Sequence, residues 1–430
     1  MPLVIVEAQL SDAGLRPLTL AKAVDTKPVF VTDRLERYSD LGTFSRVFED
    51  DVQQVVTADT SNPASVAHEL ELAGVVPSGF YTMCDYNLPV VAELAAMFHF
   101  PAISPEAAHR CRDKHQTREV LKSNNVPSAL STVVTSRADA IRAVSEVGLP
   151  CVVKPRTDSA SVGVALCYTL EDALEQLAQI TNRPLDARGQ LRPPGALFES
   201  YLVGYEVSVE TFSWEGRTVV LGVTDKDIGP PPAFTEVGET LPSMLPAATT
   251  SACVGVALAA LQALGHDFAA AHTEMRVVGG KPYVIEVNGR LAGGEIPALI
   301  ELATGIDATT QTIRAHLGLP PDLRQTLHRA ASCRSFTSEL EGVVESIEGR
   351  DTVLSIPQVA GLELAIQQGS YLSSARSNHD IFGFLIVEAE TAAEAHRVAA
   401  FASSQIRIKL SPKSHTVPSS KGIDPLRDRQ

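Results

Sequence analysis

Short apolar runs alternate with longer amphipathic ones along the first hundred residues. "LVIVEA", "PVFVTD" and "QQVVTA" are separated by stretches such as "ASVAHELELAG" and "NLPVVAELAAMF", in which apolar residues recur with a helical period. Runs of strand length alternating with helices predict a parallel sheet with helices on its faces. No Gly-x-Gly-x-x-Gly follows the first strand, which argues against a dinucleotide there.

Near Cys111 the texture changes to "RDKHQTREVLKSNNVPSA", a charged helix ending at Asn124-Asn125 with Pro127 just beyond, and this marks a boundary. From about 128 to 225 the pattern predicts helices in "ADAIRAVSEVG" and "LEDALEQLAQI" and strands in "CVVKP", "VGVALCY", "ALFES" and "EVSVETF". "DIGPPPAFTEVG" reads as a loop and Ala248 to Leu264 as a helix. A third, βαβ-like segment begins near 332, with "EGVVESIEG", "FGFLIVEAE" and the helix "TAAEAHRVAAFASSQI". The polar residues after Leu410 read as a loose tail.

The stretch "HTEMRVVGGKPYVIEVNGR", His272 to Arg290, sets charges among residues that otherwise alternate like a strand. Two runs, Ala271 to Val278 and Pro282 to Asn288, flank Gly279-Gly280-Lys281, the pattern of a β-hairpin. Side chains alternate faces, so His272, Glu274 and Arg276 share one face of the first strand, and Glu286, Asn288 and the incoming Arg290 share one face of the second. With a three-residue loop, Glu274 faces Glu286 and His272 faces Asn288, the glutamates being about 5 Å apart at Cβ. A two-residue Gly-Gly turn puts the glutamates on opposite faces. In the first case a divalent cation relieves the repulsion, carboxylates and an amide oxygen being hard ligands that suit Mg²⁺; otherwise the stretch is a solvated edge hairpin.

Composition sets the frame. A chain of 430 residues exceeds one ordinary core and implies about two to four domains. It is 44% hydrophobic and 20% charged, a globular profile, and its net charge of −15 argues against nucleic acid as a partner. The apolar run Val254 to Leu264 is too short for a membrane span, and Pro2 to Val6 lacks the flanks of a signal peptide, so a cytoplasmic protein with no membrane partner is expected. Six scattered cysteines without Cys-x-x-Cys read as small buried hydrophobes in a reducing compartment.

A second constellation is "CVVKPRTDSASVGV". Lys154 ends an apolar strand, and a loop of small residues from Ser159 to Gly163 follows. Such a loop lets backbone N–H groups approach phosphate oxygens, and it is equally an ordinary turn beside a salt-bridged lysine. "FESYLVGYEVSVE" then gives a strand, a break at Gly204, and Glu206 at the mouth of the next strand.

In series, Lys114, Lys154-Pro155, the small-residue loop, Glu-x-Tyr-Leu-x-Gly-x-Glu from Glu199 to Glu206, Lys226, and then Glu274, Glu286, Asn288 and Arg290 resemble the ATP-grasp superfamily. More closely they resemble the carboxylate–amine ligases that include bacterial L-amino acid ligases, strongly over roughly 110–320. The resemblance implies an α/β and α+β multidomain chain. Its expected parts are an N-terminal parallel α/β domain (1–110), an ATP-grasp domain (111–325) with a small nucleotide-lid subdomain at about 128–203, a C-terminal α/β lid-like domain (326–412) and a polar tail (413–430).

The same resemblance assigns Lys114 and Lys154 to ATP phosphates, with Ser159 and Ser161 on the loop that closes over them. Glu199, Tyr201 and Leu202 are assigned to adenine, Glu206 to ribose, and Glu274, Glu286 and Asn288 to Mg²⁺, with Mn²⁺ as a substitute. Arg290, Lys226, His272 and Glu236 fall at the catalytic centre; as a strand residue opposite Asn288, His272 also reads as structural. Ala160 stands where the family favours glycine, and in the substrate-side loop "FTEVGETLPS" Glu239 stands where histidine is frequent. The expected reaction is ligation of a small carboxylate to an amine, both amino acids or similar, through an acylphosphate, with a second copy of the chain, in a homodimer, as the one macromolecular partner considered. An ATP-grasp carboxylase using bicarbonate, an intramolecular amide-forming ligase and a catalytically silent ATP-binding protein are the alternatives.

Overall fold

The computed structural model describes residues 1–231 and 234–411; the tail expected at 413–430 lies outside the described residues. The chain opens with β1 (Leu3–Val6), β2 (Val29–Thr32), β3 (Gln54–Thr57) and β4 (Gly79–Tyr81), which pair in parallel in the order β3-β2-β1-β4. Every residue of β1, β2 and β4 is buried, as strands covered on both faces must be. Val4, Val29 and Phe80 pack with Val66, Leu70 and Leu94 on one face. Leu3, Ile5 and Phe30 pack with Leu15 and Leu18 on the other.

Next come β5 (Ser131–Val134), β6 (Cys151–Lys154), β7 (Ala165–Cys167) and β8 (Ala196–Ser200), an antiparallel sheet in the order β5-β8-β6-β7. The helices Arg137–Val147 and Leu170–Thr181 lay Ala140, Ala143, Ala173 and Leu177 on its core. There follow β9 (Tyr205–Trp214), β10 (Arg217–Ile228), β11 (Glu236–Leu241), β12 (Ala269–Val278) and β13 (Lys281–Asn288). "FTEVGETLPS", expected as a loop, is therefore mostly strand, its residues from Glu236 paired in β11.

The helix Ala247–Leu264 is longer than its apolar run suggested and passes the length and composition test for a membrane span. Here Cys253, Ala257, Ala260, Leu261 and Leu264 pack against Val207, Val209, Met275 and Val287 in a protein core.

The C-terminal strands are β14 (Ala330–Phe336), β15 (Gly342–Glu348), β16 (Val359–Leu364), β17 (Tyr371–Leu372), β18 (Gly383–Ala389) and β19 (Arg407–Ser411). The βαβ expectation for this segment is corrected: β14 and β16 both pair antiparallel with β18, and β15 pairs antiparallel with β17 and β19. The reason lies in the pattern of β18, whose buried residues alternate with half-buried ones. One covered face is what an antiparallel strand needs, and a parallel strand is covered on both.

The chain forms two compact units. One comprises Met1–Ala129, Leu202–Asp225 and Leu245–His328, with the parallel sheet and the strand run β13-β12-β9-β10. The other comprises Leu130–Tyr201, Lys226–Met244 and the described residues from Arg329, with β5 to β8 and the run β11-β14-β18-β16. All six cysteines are buried thiols.

Candidate active site

The candidate residues divide between the units: Lys114, Leu202, Glu206, His272, Glu274, Glu286, Asn288 and Arg290 belong to the first, and Lys154, Ser159, Ser161, Glu199, Tyr201, Lys226 and Glu236 to the second.

In the first unit the hairpin β12–β13 resolves the question of register in an unforeseen way. Val278 pairs with Lys281, so the turn is the two-residue one, with Gly279 at φ 57° and Gly280 at φ 79°. Both angles are left-handed, which the primed hairpin turn requires and glycine adopts without strain. Continued regularly, that register would set Glu286 opposite Thr273, on the wrong face. A bulge at Ile285 absorbs one residue of β13, and beyond it Glu274 pairs with Glu286 and His272 with Asn288. The bulged stretch is anchored, since Arg118 Nη2 donates to the Ile285 carbonyl at 2.6 Å and Val284 N–H donates to the Pro127 carbonyl at 2.9 Å.

β9 extends this face on the other side of β12. Glu206 pairs with Arg276, Ser208 with Glu274 and Glu210 with His272. Cross-strand neighbours on one face approach within side-chain reach, and three polar rows result: Glu206–Arg276, Ser208–Glu274–Glu286 and Glu210–His272–Asn288. Arg276 Nη2 lies 2.7 Å from Glu206, and its Nη1 donates to the Gly204 carbonyl at 3.0 Å. A side chain at Gly204 would collide with the Val277 carbonyl at 2.1 Å, so the break before β9 needs glycine. Leu202, just ahead of it, is half-buried.

His272 is held at both ring nitrogens, Nδ1 2.9 Å from Glu210 and Nε2 2.9 Å from Glu274. Burial opposes its charge, but the two carboxylates outweigh burial and push its pKa up to about 10. It is therefore an imidazolium at neutral pH. Sequence reasoning missed Glu210. The period-two spacing of Glu206, Ser208 and Glu210 in "EVSVETF" was the available signal.

Lys114 begins the helix Lys114–Ser123, which Asp113 caps, and its Nζ lies 3.0 Å from Glu286. Arg290 follows β13 and forks onto Asp85, with Nε donating to Oδ1 at 2.6 Å and Nη2 to Oδ2, while Nη1 donates to the Leu291 carbonyl at 2.7 Å. Burial disfavours both charges; Arg290 nevertheless holds Asp85 below the usual carboxylate range, and Asp85, Glu286 and Glu274 raise the pKa of Arg290.

In the second unit Lys154 Nζ lies 2.6 Å from Glu199, both nearly inaccessible, and Lys226 Nζ lies 3.1 Å from Glu236. The loop Ser159–Gly163 starts with a turn from Val162 N–H to the Ser159 carbonyl, and Ala160 and Ser161 take φ of 56° and 59°. Two consecutive non-glycine residues in the left-handed region mark stored backbone strain, about 1 kcal/mol or more each. Ser161 Oγ donates to the Phe234 carbonyl at 3.4 Å, and the Tyr201 ring lies 6.3 Å from that of Phe234. Asn378, also missed, ties these parts together. Its N–H donates to the Ala160 carbonyl at 3.2 Å, and its side-chain amide exchanges two 2.9 Å hydrogen bonds with Glu236.

Among the described residues no cluster of three or more His, Cys, Asp or Glu suits a metal. The set that fits a hard divalent cation is Glu274 and Glu286, brought opposite each other by the bulge, completed by the amide oxygen of Asn288.

Residues 147–298 match the ATP-grasp domain family and residues 334–411 the L-amino acid ligase C-terminal domain 2. The chain is 30% identical to the protein y4rH of Sinorhizobium fredii over 364 residues, 84% of this chain and 74% of that protein. It is 28% identical over 222 residues to the alanine–anticapsin ligase of Bacillus subtilis, covering 47% of this chain and 46% of that enzyme, so it spans less than half of that relative. Among solved structures, the L-amino acid ligase from Bacillus licheniformis superposes with a TM-score of 0.79 at 20% identity, over 95% of this chain and 98% of that one, a likeness of fold.

Proposed function

The chain belongs to the ATP-grasp superfamily, in the carboxylate–amine ligase family, and from that premise we propose that it joins a carboxylate to an amine, both amino acids or similar, at the expense of ATP. The observation that carries the reading is the row Ser208–Glu274–Glu286, with Lys114 on Glu286 and His272 on Glu274. Two carboxylates on adjacent strands repel unless cations share their oxygens, and a buried imidazolium and lysine beside a hard donor set suit a site for polyphosphate and its cation.

In the proposed reaction a substrate carboxylate oxygen attacks the γ-phosphorus of ATP, ADP leaves, and an acylphosphate forms. The amine nitrogen of the second substrate then attacks the acyl carbon, phosphate departs with the C–O bonding pair, and the nitrogen loses a proton. Lys114 and Lys154 bind phosphate oxygens, and the backbone N–H groups of Ser159 to Gly163 close over them. Glu199, Tyr201 and Leu202 hold adenine, and Glu206 the ribose. Glu274, Glu286 and Asn288 would hold Mg²⁺, which when bound spreads the charge of the transferring phosphoryl group. Arg290 forks onto the substrate carboxylate and stabilises the oxyanion that forms from it. In this reading Glu236, which lies against Lys226, takes the amine proton. His272 keeps Glu274 oriented through its hydrogen bond.

The test is phosphate release over amino acids offered singly and in pairs, with mass spectrometry of the products. Pair-dependent release with a product one water lighter than the sum is expected. Bicarbonate-dependent turnover would point to a carboxylase, single-substrate turnover to a cyclising ligase, and nucleotide binding with no phosphate release to a silent binder.

A further inference from the structure

Asp85 lies 205 residues before Arg290, yet it takes two of that guanidinium's five N–H groups. It stands in the turn after β4, at the carboxyl end of the parallel sheet. There the order β3-β2-β1-β4 reverses direction between β1 and β4, the place where open α/β sheets present groups to ligands. The turn is fixed from several sides. Cys84 N–H donates to Thr82 Oγ1 at 2.9 Å, Asn87 Nδ2 donates to the Thr60 carbonyl at 2.9 Å, and Arg112 stacks 4.3 Å over the Tyr86 ring. Asp85 is thus a carboxylate with a set position, buried to the same degree as its partner.

Its grip is side-on, through Nε and Nη2, while Nη1 is tied back to the Leu291 carbonyl. Three of the five N–H groups are committed. The two that remain belong to Nη1 and Nη2, the two nitrogens through which a guanidinium meets a carboxylate end-on. We propose that Asp85 is the positioning residue for Arg290, fixing the plane of the guanidinium so that its end-on edge is presented to the substrate carboxylate. The inference rests on the assignment of Arg290 to that carboxylate. It separates two jobs: Asp85 touches no reacting atom, and Arg290 does.

The test uses the full chain, ATP and whichever amino-acid pair gives most phosphate release, with Asp85→Asn, Arg290→Ala and the double variant, each checked by thermal melting. Asparagine keeps the shape and one acceptor but removes the charge. Asp85→Asn is expected to lower kcat by about 10- to 100-fold with the KM for ATP unchanged, Arg290→Ala to lose at least as much, and the double variant to be no worse than Arg290→Ala. Millimolar guanidinium chloride should restore part of the activity of Arg290→Ala, and should fail in the double variant, which lacks the carboxylate that seats the added cation. Should Asp85→Asn not fold, Asp85→Glu keeps the charge but displaces the fork and is expected to show the same fall in kcat at unchanged KM for ATP. Parental kcat in the Asp85 variants beside a dead Arg290→Ala, or equal rescue with and without Asp85, would overturn the proposal and leave the role of Arg290 standing. Parental activity in Arg290→Ala would overturn that role instead.

Discussion

On the hairpin β12–β13 the candidate groups stand on paired strands, and register decides which of them meet: Glu274 with Glu286, His272 with Asn288. On the loop from Ser159 to Gly163 no ladder holds the backbone. Ala160 and Ser161 sit at left-handed φ, and beside local turn bonds the contacts come from Asn378, Phe234 and Gln176, whose Nε2 donates to the Gly163 carbonyl at 2.6 Å. The first arrangement fixes charge to within a strand spacing and has little freedom to adapt. The second leaves the loop's backbone outside any ladder, the arrangement that its proposed role of closing over a nucleotide calls for. Order along the chain should therefore matter greatly on the hairpin and little on the loop.

Exchanging two neighbours tests that difference most sharply. Ile285→Glu combined with Glu286→Ile keeps the composition but moves the carboxylate from the row to the bulge. Phosphate release in the amino-acid screen is expected to fall by about a thousandfold, the scale of losing a preorganised charge at a phosphoryl-transfer centre. Retention of even a tenth of the parental rate would show that register does not govern the site.

Lys154 lies between the two cases, on a strand but next to the loop. Lys154→Met keeps the buried stem and removes the cation, so ATP should bind about 100-fold more weakly by calorimetry. Unchanged affinity would leave Lys154 as the structural partner of Glu199 alone.

The scaffold carrying the hairpin has its own sensitivity to acid. His316 packs between Tyr81 and Phe268, ring centroids 5.0 and 5.1 Å away, and burial lowers its pKa from 6.5 to about 4. The unfolded chain binds a proton there below pH 6.5 that the folded chain refuses until about pH 4, so stability falls as pH drops through that window and is flat above it. The expected loss is about 3 kcal/mol, on the scale of 1.36 kcal/mol per pKa unit. Melting temperatures from pH 7.5 to 4.5 should fall less steeply in His316→Phe than in the parent; identical slopes would remove His316 from the account.

The smallest effect is expected in the loop. Exchanging Ala160 and Ser161 leaves two non-glycine residues at the same left-handed angles and should change the KM for ATP by only about twofold to fivefold, a hydrogen bond's worth. A loss as large as that of the Ile285 and Glu286 exchange would erase the contrast between the two regions.

Much of this was legible in the sequence, for identifiable reasons. β1 and β2 announced themselves because strands buried on both faces are nearly uninterrupted apolar runs, β3 showed only as the short run around Val55 and Val56, and β4, three residues long, left no run to read. The polar face of β12 followed from parity. The bulge at Ile285 did not, because an extra residue leaves no compositional mark; the two-residue turn, expected to part the glutamates, leaves them paired because of that bulge. Glu210 was overlooked because its partner His272 lies 62 residues away. Asp85 and Asn378 act on residues 205 and 142 positions distant, and local periodicity carries no information about such pairs. The antiparallel direction of the C-terminal strands is written in the alternation of β18, which the high apolar content of "FGFLIVEAE" masks.

Cation binding gives the most direct measurement. Mn²⁺ titrated in the presence of ADP and followed by electron paramagnetic resonance should bind the parent chain, and Glu286→Gln, which keeps the shape and removes one charge, should weaken that binding at least about tenfold with the circular dichroism spectrum unchanged. Equal Mn²⁺ affinity in parent and variant would contradict the assignment of Glu274, Glu286 and Asn288 to the cation.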